Sequence, residues 1–547
     1  MRHAGPVTIA AIQDRYAFPT EWMTVELARL VGARQLAHGR FTPQAARSDQ
    51  TTLPAEEFVE LPALEQIHRR TLAILRREVR PVSFAVFADF LVRWQHLSPD
   101  ERLAGEGALR QALQQLRAAP IAGQAWERDV LPLRLAYYRP AELEMLCQSG
   151  ELVWLGSGGV DPRRGRVRFL FRGEGNAYVE AAPEDLSDLS ATARAIHGLL
   201  KSEGAVFFAD LRAGLNLGEG AVEAGLIELV MAGLVTNDSL GAMRQIIERG
   251  AANLPAGRQD QAPLSPLEVQ LAERMGGRGR PMQVGHKPGH AQYRAAKRRV
   301  RQRLEAQHVP RWAGRWTLVH RPGIMGRELP TEERAAQQAR QLLLRYGVVT
   351  RESLEREEGT WDWIPIYQQL QRMEMRGEVR RGYFVQGLPG VQFALPEAVE
   401  RLRELGSCKQ ALEEGADVLT VMNACDPANQ YGPLIDHQGL SQQQGELNSA
   451  LGAPLMFARI PSTWLVQRRG LPVLVVEDTG ARLTTIQGAG EGWLRRALQT
   501  ALEHLAKFEY RVTVNMWDGI PVLDSPGRAL LESLGFYRDY PGMTWDK

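Results

Sequence analysis

Between Arg274 and Arg303 the chain carries eight arginines and two lysines and no acidic residue. Guanidinium and ammonium groups at that density neutralise phosphates, and binding made this way weakens steeply as salt rises. The segment begins glycine-rich and its second half reads as a helix bearing Arg294, Lys297, Arg298, Arg299, Arg301 and Arg303, with Tyr293 as a ring on which a base can stack. A solvated linker helix is the alternative. A second group, Arg376, Arg380 and Arg381, lies where an apolar helix gives way to a strand-like run. Other constellations lead nowhere. His286 and His290 have metal-ligand spacing, but Pro288 and two glycines argue against the helix that would put them, or His308, on one face. Gly285-His286-Lys287-Pro288-Gly289 has the glycines and lysine of a phosphate loop, yet Pro288 replaces the hydroxyl residue that holds magnesium, so ATP hydrolysis by this chain alone is not expected.

Something must position the second arginine group. Ile366, Leu370 and Met373 recur at i, i+4, i+7, the helical period. Gly377 stops that helix, and Val379–Val385 and Val391–Leu395 read as two strands around Gly387-Leu388-Pro389-Gly390. With a short helix after Thr350, this is a winged helix, and the arginines sit where a DNA backbone would pass. The pattern recurs. Small tetrads at Gly5–Thr8, Arg80–Ser83, Gly204–Phe207 and Gly347–Thr350 each introduce helices, so the expected fold class is α+β, with tandem winged-helix domains followed by a β-rich C-terminal module, barrel-like or α/β. The expected domains are winged helices at 1–58, 59–150 (expanded, with no evident wing), 186–255 and 313–403, a β-hairpin insertion at 151–185, a basic linker at 256–312 and the C-terminal module at 404–547.

At 547 residues the chain needs several cores. A net charge of +2 makes any nucleic-acid surface local, and three distant cysteines exclude a disulfide scaffold and a four-cysteine zinc site. With no 18-residue apolar run and no signal-peptide-like start, a cytoplasmic protein without membrane contact and without cofactor is expected.

Several blocks carry a family resemblance. Trp126-Glu127-Arg128-Asp129-Val130-Leu131-Pro132, Tyr138-Arg139-Pro140, Gly150–Trp154, Gly233–Asp238, Gly314-Arg315-Trp316, the segment 377–403 and Asp426-Pro427-Ala428-Asn429-Gln430-Tyr431-Gly432 stand in the order of the C-terminal region of bacterial large helicase-related proteins, which the chain resembles. Such proteins carry an ATPase motor that this chain lacks. The resemblance therefore implies a DNA-binding accessory role in repair, on duplex or a duplex–single-strand junction, with a separate helicase motor and homo-oligomerisation as possible partnerships. That region is also similar to winged-helix DNA glycosylases of the AlkZ kind, which implies an alternative, removal of a damaged base flipped from the duplex. Those enzymes use a Gln-x-Gln pair. Gln369–Gln371 and Gln442–Gln444 have the spacing without the context, and Asp518 and Asp546 are candidate carboxylates, the latter expected to fray. No catalytic residue is assigned on this basis. A third reading is an oligomerising scaffold without DNA contact. The 426–432 block reads first as a tight turn after a strand, with a recognition loop as its alternative.

Overall fold

The computed structural model describes residues 5–42, 56–78, 80–158, 165–252, 312–407, 418–432, 449 and 455–547. They divide into two compact units, Met1–Pro81 with Arg380–Phe384, and Val82–Val379 with Val385–Lys547.

The first unit holds a small winged helix. Thr8 caps the helix Ile9–Tyr16 by accepting from the Ala11 amide at 3.2 Å, and Ala17 ends it in a left-handed conformation. The helix Thr20–Gly32 turns Met23 and Leu27 inward. Val7–Thr8 and Leu36–Gly39 both pair antiparallel with Glu57–Glu60, so the last strand lies between the first two.

The same strand order recurs in three further winged-helix sheets. In one copy Ser190 caps Ala191–Glu203, whose Ala193, Ile196 and Leu200 are buried, and Gly204 at φ 93° releases the chain into Val206–Phe207. Helices Phe208–Leu215 and Glu219–Met231 follow, the second burying Val222, Leu226, Leu229 and Val230 before Gly233 stops it. Val235–Asn237 then pairs with Arg315–Leu318, a strand that returns only after a long excursion in the sequence.

In the copy before it, the sheet begins at Ile121–Ala122, and the tetrad Arg80–Ser83 instead caps a separate helix, Phe84–Trp94. The hairpin Leu152–Ser157 with Arg166–Phe171 completes that sheet and serves as its wing. Both faces of the hairpin are buried. Leu152, Trp154, Val167 and Phe169 enter a core shared with Trp126, Leu226 and Trp316, while Val153, Leu155 and Leu170 enter another with Tyr178 and Ile324. Period-two alternation with apolar residues on both sides is what a strand sandwiched between two cores requires.

The last copy follows the sequence closely. Thr331–Tyr346 ends at Gly347, Thr350 and Ser353 form a capping box around Arg351–Arg356, and Trp363–Met375 buries Ile366, Leu370 and Met373. Val348–Val349 pairs with Gln392–Ala394. The expected strand Val379–Val385 is shorter, covering Arg380–Gly382. Val385 instead bridges to Val82, and the Gln386 amide donates to the Val82 carbonyl at 2.8 Å, so backbone bonding to another segment ends the run.

The C-terminal module is α/β and not a closed barrel. Leu419–Asn423, Trp464–Arg468, Leu471–Glu477, Arg482–Thr485, Met516–Trp517 and Ile520–Pro521 form one six-stranded sheet in that order, and Glu491–Leu505 packs Ala497, Leu498, Ala501 and Leu505 inward. The run expected as one strand from Tyr510 to Met516 splits. Arg511–Val514 joins Gly542–Asp546 and Tyr537–Asp539 in a second sheet, while Met516–Trp517 pairs parallel with Arg482–Leu483. Gly470, at φ +74° in the turn after Arg468, lies against Phe84–Trp94, where a Cβ would fall 1.9 Å from the Ala85 carbonyl oxygen and 2.5 Å from the Asp89 nitrogen. Gly470→Ala is expected to lower stability by about 3 kcal/mol through combined overpacking and left-handed strain. The midpoint of urea unfolding measures it, and an unchanged midpoint would show that this turn does not seat on the helix.

Candidate nucleic-acid interface

Of the predicted phosphate-contact residues, Arg294, Lys297, Arg298, Arg299, Arg301 and Arg303 lie outside the described residues, as do His286, His290, His308 and Gln442–Gln444. Arg376 is exposed at the end of Trp363–Met375 and donates to Glu378 at 2.5 Å. One turn earlier, Arg372 holds Glu332 through two bonds of 3.0 and 3.1 Å. Such exposed pairs are worth little in water, so phosphates can replace the carboxylates at small cost. Arg380 and Arg381 group with the amino-terminal unit, part-buried and engaged with other groups.

The amino-terminal unit contributes a surface that charge patterns did not reveal. Tyr16, Phe18 and Trp22 are 56%, 44% and 53% exposed, with ring centroids 5.9 Å apart for the first pair and 5.2 Å for the second. Arg15 sits 5.7 Å from the Tyr16 ring. Exposed rings beside a cation can stack unpaired bases.

The blocks Trp126–Pro132 and Asp426–Gly432, nearly 300 residues apart, are brought together inside the larger unit. Asp129 is fully buried and accepts from Arg128 Nε at 2.9 Å, Asn423 Nδ2 at 3.0 Å, Trp464 Nε1 at 3.0 Å and His504 Nε2 at 2.7 Å. The Arg128 guanidinium lies over the rings of Trp464 and Phe508, at 4.7 and 4.9 Å. One turn on, fully buried Arg134 grips buried Asp426 with bonds of 2.7 and 2.8 Å and reaches Gln95 Oε1 at 2.8 Å. Asp426 Oδ1 also accepts from the Ala428 amide at 2.8 Å, so the 426–432 block is a turn pinned by a buried ion pair. Its carboxylate is spent on structure. Both groups seal the carboxyl end of the sheet strand Leu419–Asn423 onto the helical segment around Trp126–Arg134.

The two C-terminal carboxylates differ. Asp518 is buried, with φ 49°, and accepts from Thr485 N at 2.6 Å and Oγ1 at 2.8 Å, a structural clamp between two strands. Asp546 does not fray. It is a residue of the central strand Gly542–Asp546 of the second sheet, pairs with Arg511 Nε at 2.8 Å, and accepts from Tyr537 Oη at 2.7 Å. The Arg511 hydrogen bond holds its carboxyl below the usual carboxylate range. Its side chain remains a third exposed, so an ionised carboxylate faces solvent there. Gln369 is buried in the helix Trp363–Met375 of the last winged helix, and Gln371 donates to Tyr367 at 3.1 Å, so neither reaches out as a catalytic pair would. Among the described residues there is no group of three or more His, Cys, Asp or Glu able to hold a metal ion, and no helix long and apolar enough to cross a membrane.

Tandem winged helices with a shared strand order, followed by an α/β module, define the class of protein. Two of these domains have a specific kinship: residues 82–172 and 328–414 each match a winged-helix domain family of large helicase-related protein. The "Lhr helicase/ probable uracil glycosylase" of Mycolicibacterium smegmatis is 30% identical over 484 residues, 86% of this chain and 28% of that protein. The "Lhr helicase/uracil glycosylase" of Escherichia coli is 25% identical over 549 residues, 94% of this chain and 33% of that protein. The chain thus spans about a third or less of each relative. Among solved structures, the Streptomyces sahachiroi DNA glycosylase AlkZ aligns over 78% of this chain and 97% of its own at 13% identity, with a TM-score of 0.41.

Proposed function

We propose that this chain is a DNA-binding accessory protein of repair, with the role of the carboxy-terminal region of a large helicase-related protein. The observation that carries this reading is the tandem array of winged helices, two of them matching domains of that family. Winged helices dock on duplex through a helix and a wing, with cationic side chains on phosphates. Arg376, Arg380, Arg381 and the 294–303 basic run supply the cations, and the Tyr16–Phe18–Trp22 ladder suits the unpaired bases of a junction. A panel of labelled duplex, single-strand and junction oligonucleotides tests it. Preference for the junction is the expected result, and no binding to any of them at low salt would overturn the reading in favour of a protein-contact scaffold.

A second reading is favoured by Asp546. Cleavage of a base–sugar bond needs a carboxylate that stays ionised to stabilise the developing positive charge or orient water. Asp546 is held ionised by Arg511, is reachable, and both relatives have uracil glycosylase in their names. If the chain makes abasic sites in uracil-containing DNA, Asp546→Asn abolishes them. Arg511→Gln removes the group that depresses the Asp546 pKa, so the acid limb of the pH–rate profile moves up toward the ordinary carboxylate range. An Arg511→Gln profile superimposable on that of the parent protein would exclude Asp546 as the titrating group.

A further inference from the structure

Among the described residues, two arginines beside the 426–432 turn hydrogen-bond only to backbone carbonyls. Arg356, the last residue of Arg351–Arg356 in the final winged helix, donates Nη1 to the Asn429 carbonyl at 2.7 Å. Arg459 donates Nη1 to that same oxygen at 3.2 Å, and makes only longer contacts with the carbonyls of Tyr431 at 3.3 Å and Asp426 at 3.5 Å. Two guanidiniums therefore share one neutral acceptor, and among the described residues neither has a carboxylate within ion-pair distance. The charges of Glu355 and Glu357 favour Arg356 and that of Asp426 favours Arg459, while the bonds of Glu357, Glu358 and Asp426 go to other groups. Glu357 is taken by Arg345 and by Tyr346 Oη at 3.0 Å, and Glu358 by Arg166 and by Ser157 Oγ at 2.7 Å.

Such a pair is costly. Like charges repel, and burial disfavours the charged form of each. Burial first and the Arg356 charge second push the Arg459 pKa down to about 9, a large departure for a guanidinium. The same burial lowers Arg356. Cys425, in the field of Arg459, Arg166 and Arg128, offers no compensating thiolate, because burial pushes its thiol up to about 12. Both arginines keep part of their surface, and none of their unbonded nitrogens is sealed from solvent, in contrast to Arg134 Nε. The backbone is shaped to admit Arg459: Gly432, at φ +105°, leaves the space where a Cβ would stand 3.2 Å from Arg459 Cγ.

We infer that Arg356 and Arg459 form a binding site for a phosphate group, bridging its oxygens with the guanidinium donors that the Asn429 carbonyl leaves unused. Planar forks on two sides of a tetrahedral anion are a favoured phosphate arrangement, and the anion adds negative charge where two guanidiniums meet one neutral acceptor. The shared chemistry is a phosphate ester or free phosphate. With DNA binding as proposed above, on which this inference rests for its natural ligand, the phosphate is one of the DNA backbone, placing the junction of the last winged helix and the C-terminal module on the duplex path.

The test uses the full chain with Arg356→Gln, Arg459→Gln and Arg459→Lys. Duplex affinity is read by fluorescence anisotropy at stepped salt, and the thermal midpoint is read in inorganic phosphate against chloride at equal ionic strength. Each Gln variant is expected to bind duplex about tenfold more weakly and to lower the salt slope by about 1, the share of one phosphate, and to lose the phosphate-induced rise in midpoint. Arg459→Lys keeps the charge and most of the slope, which separates phosphate contact from loss of the carbonyl bonds that fold the turn. A phosphate-induced rise that the Gln variants lose, with an unaltered duplex slope, supports the site with free phosphate or a nucleotide as its ligand. Duplex binding by the parent with slope and phosphate response unchanged in both Gln variants overturns the site while leaving the proposed function standing. If the parent binds no duplex but keeps an Arg459-dependent phosphate response, the function fails and the site survives.

Discussion

Asp129→Ala is expected to be the most damaging single substitution in the larger unit, lowering stability by at least about 4 kcal/mol. The carboxylate is fully buried and receives four donors, from Arg128, Asn423, Trp464 and His504. A buried donor left without an acceptor costs about 1–3 kcal/mol, more when charged. Asn423 retains the Pro461 carbonyl at 2.8 Å, and Arg128 keeps that same carbonyl, but Trp464 Nε1 and His504 Nε2 have no other partner among the described residues. The side chains that lose their anchor belong to the sheet strand Trp464–Arg468 and the helix Glu491–Leu505, so the C-terminal module is expected to loosen first. Against an ordinary domain stability of about 5–15 kcal/mol, the loss is a large fraction of what holds the module folded. Urea unfolding with tryptophan fluorescence reads it, since Trp464 itself reports. A loss under about 1 kcal/mol would mean that water reaches these donors and that the hub is not dry.

Asp426→Ala acts by a different route, leaving the Arg134 charge stranded. Arg134 is fully buried, and its remaining contacts, the Val130 carbonyl at 3.0 Å and Gln95 Oε1 at 2.8 Å, are neutral. Removing one partner of a buried ion pair costs about 3–5 kcal/mol because the survivor is uncompensated, whereas replacing both with apolar residues of similar volume is near neutral. The single substitution is therefore expected to lose about 4 kcal/mol, and Arg134→Met with Asp426→Leu to lose much less than Asp426→Ala alone. A double-mutant cycle on the two positions separates the pair from its surroundings. A double variant as unstable as the sum of the singles would show that the two side chains act independently and that the turn is held by its Asn429 bonds instead.

Helix periodicity and glycine stops carried the last two winged helices. Ile366, Leu370, Met373 and Gly377, like Val222, Leu226, Leu229, Val230 and Gly233, lie where a 3.6-residue period and a left-handed cap require them. The earlier sheet in the larger unit was harder to see, because its first strand is only Ile121–Ala122, too short to show alternation, and its wing looked like an insertion between domains. Strand partners in the C-terminal module are set by pairing across distant segments. No local pattern signals that Tyr510–Met516 divides between two sheets. The buried polar hub was invisible for the same reason. His504 and Asp129 are 375 positions apart, and only their shared placement against Trp464 makes them partners. The Trp126–Pro132 and Asp426–Gly432 blocks are each distinctive in the sequence, yet nothing in either says that they meet. Arg356 and Arg459 carry no sequence signal at all: each is a lone arginine until the fold sets both against the Asn429 carbonyl.

The most direct test of the central claim is the equilibrium affinity of the full chain for a labelled duplex–single-strand junction measured from about 50 to 200 mM salt. The account predicts tight binding at the low end and a linear fall of log K with log salt, of slope consistent with several phosphates displaced. Affinity that does not change across that range, or binding too weak to detect at its low-salt end, would contradict it.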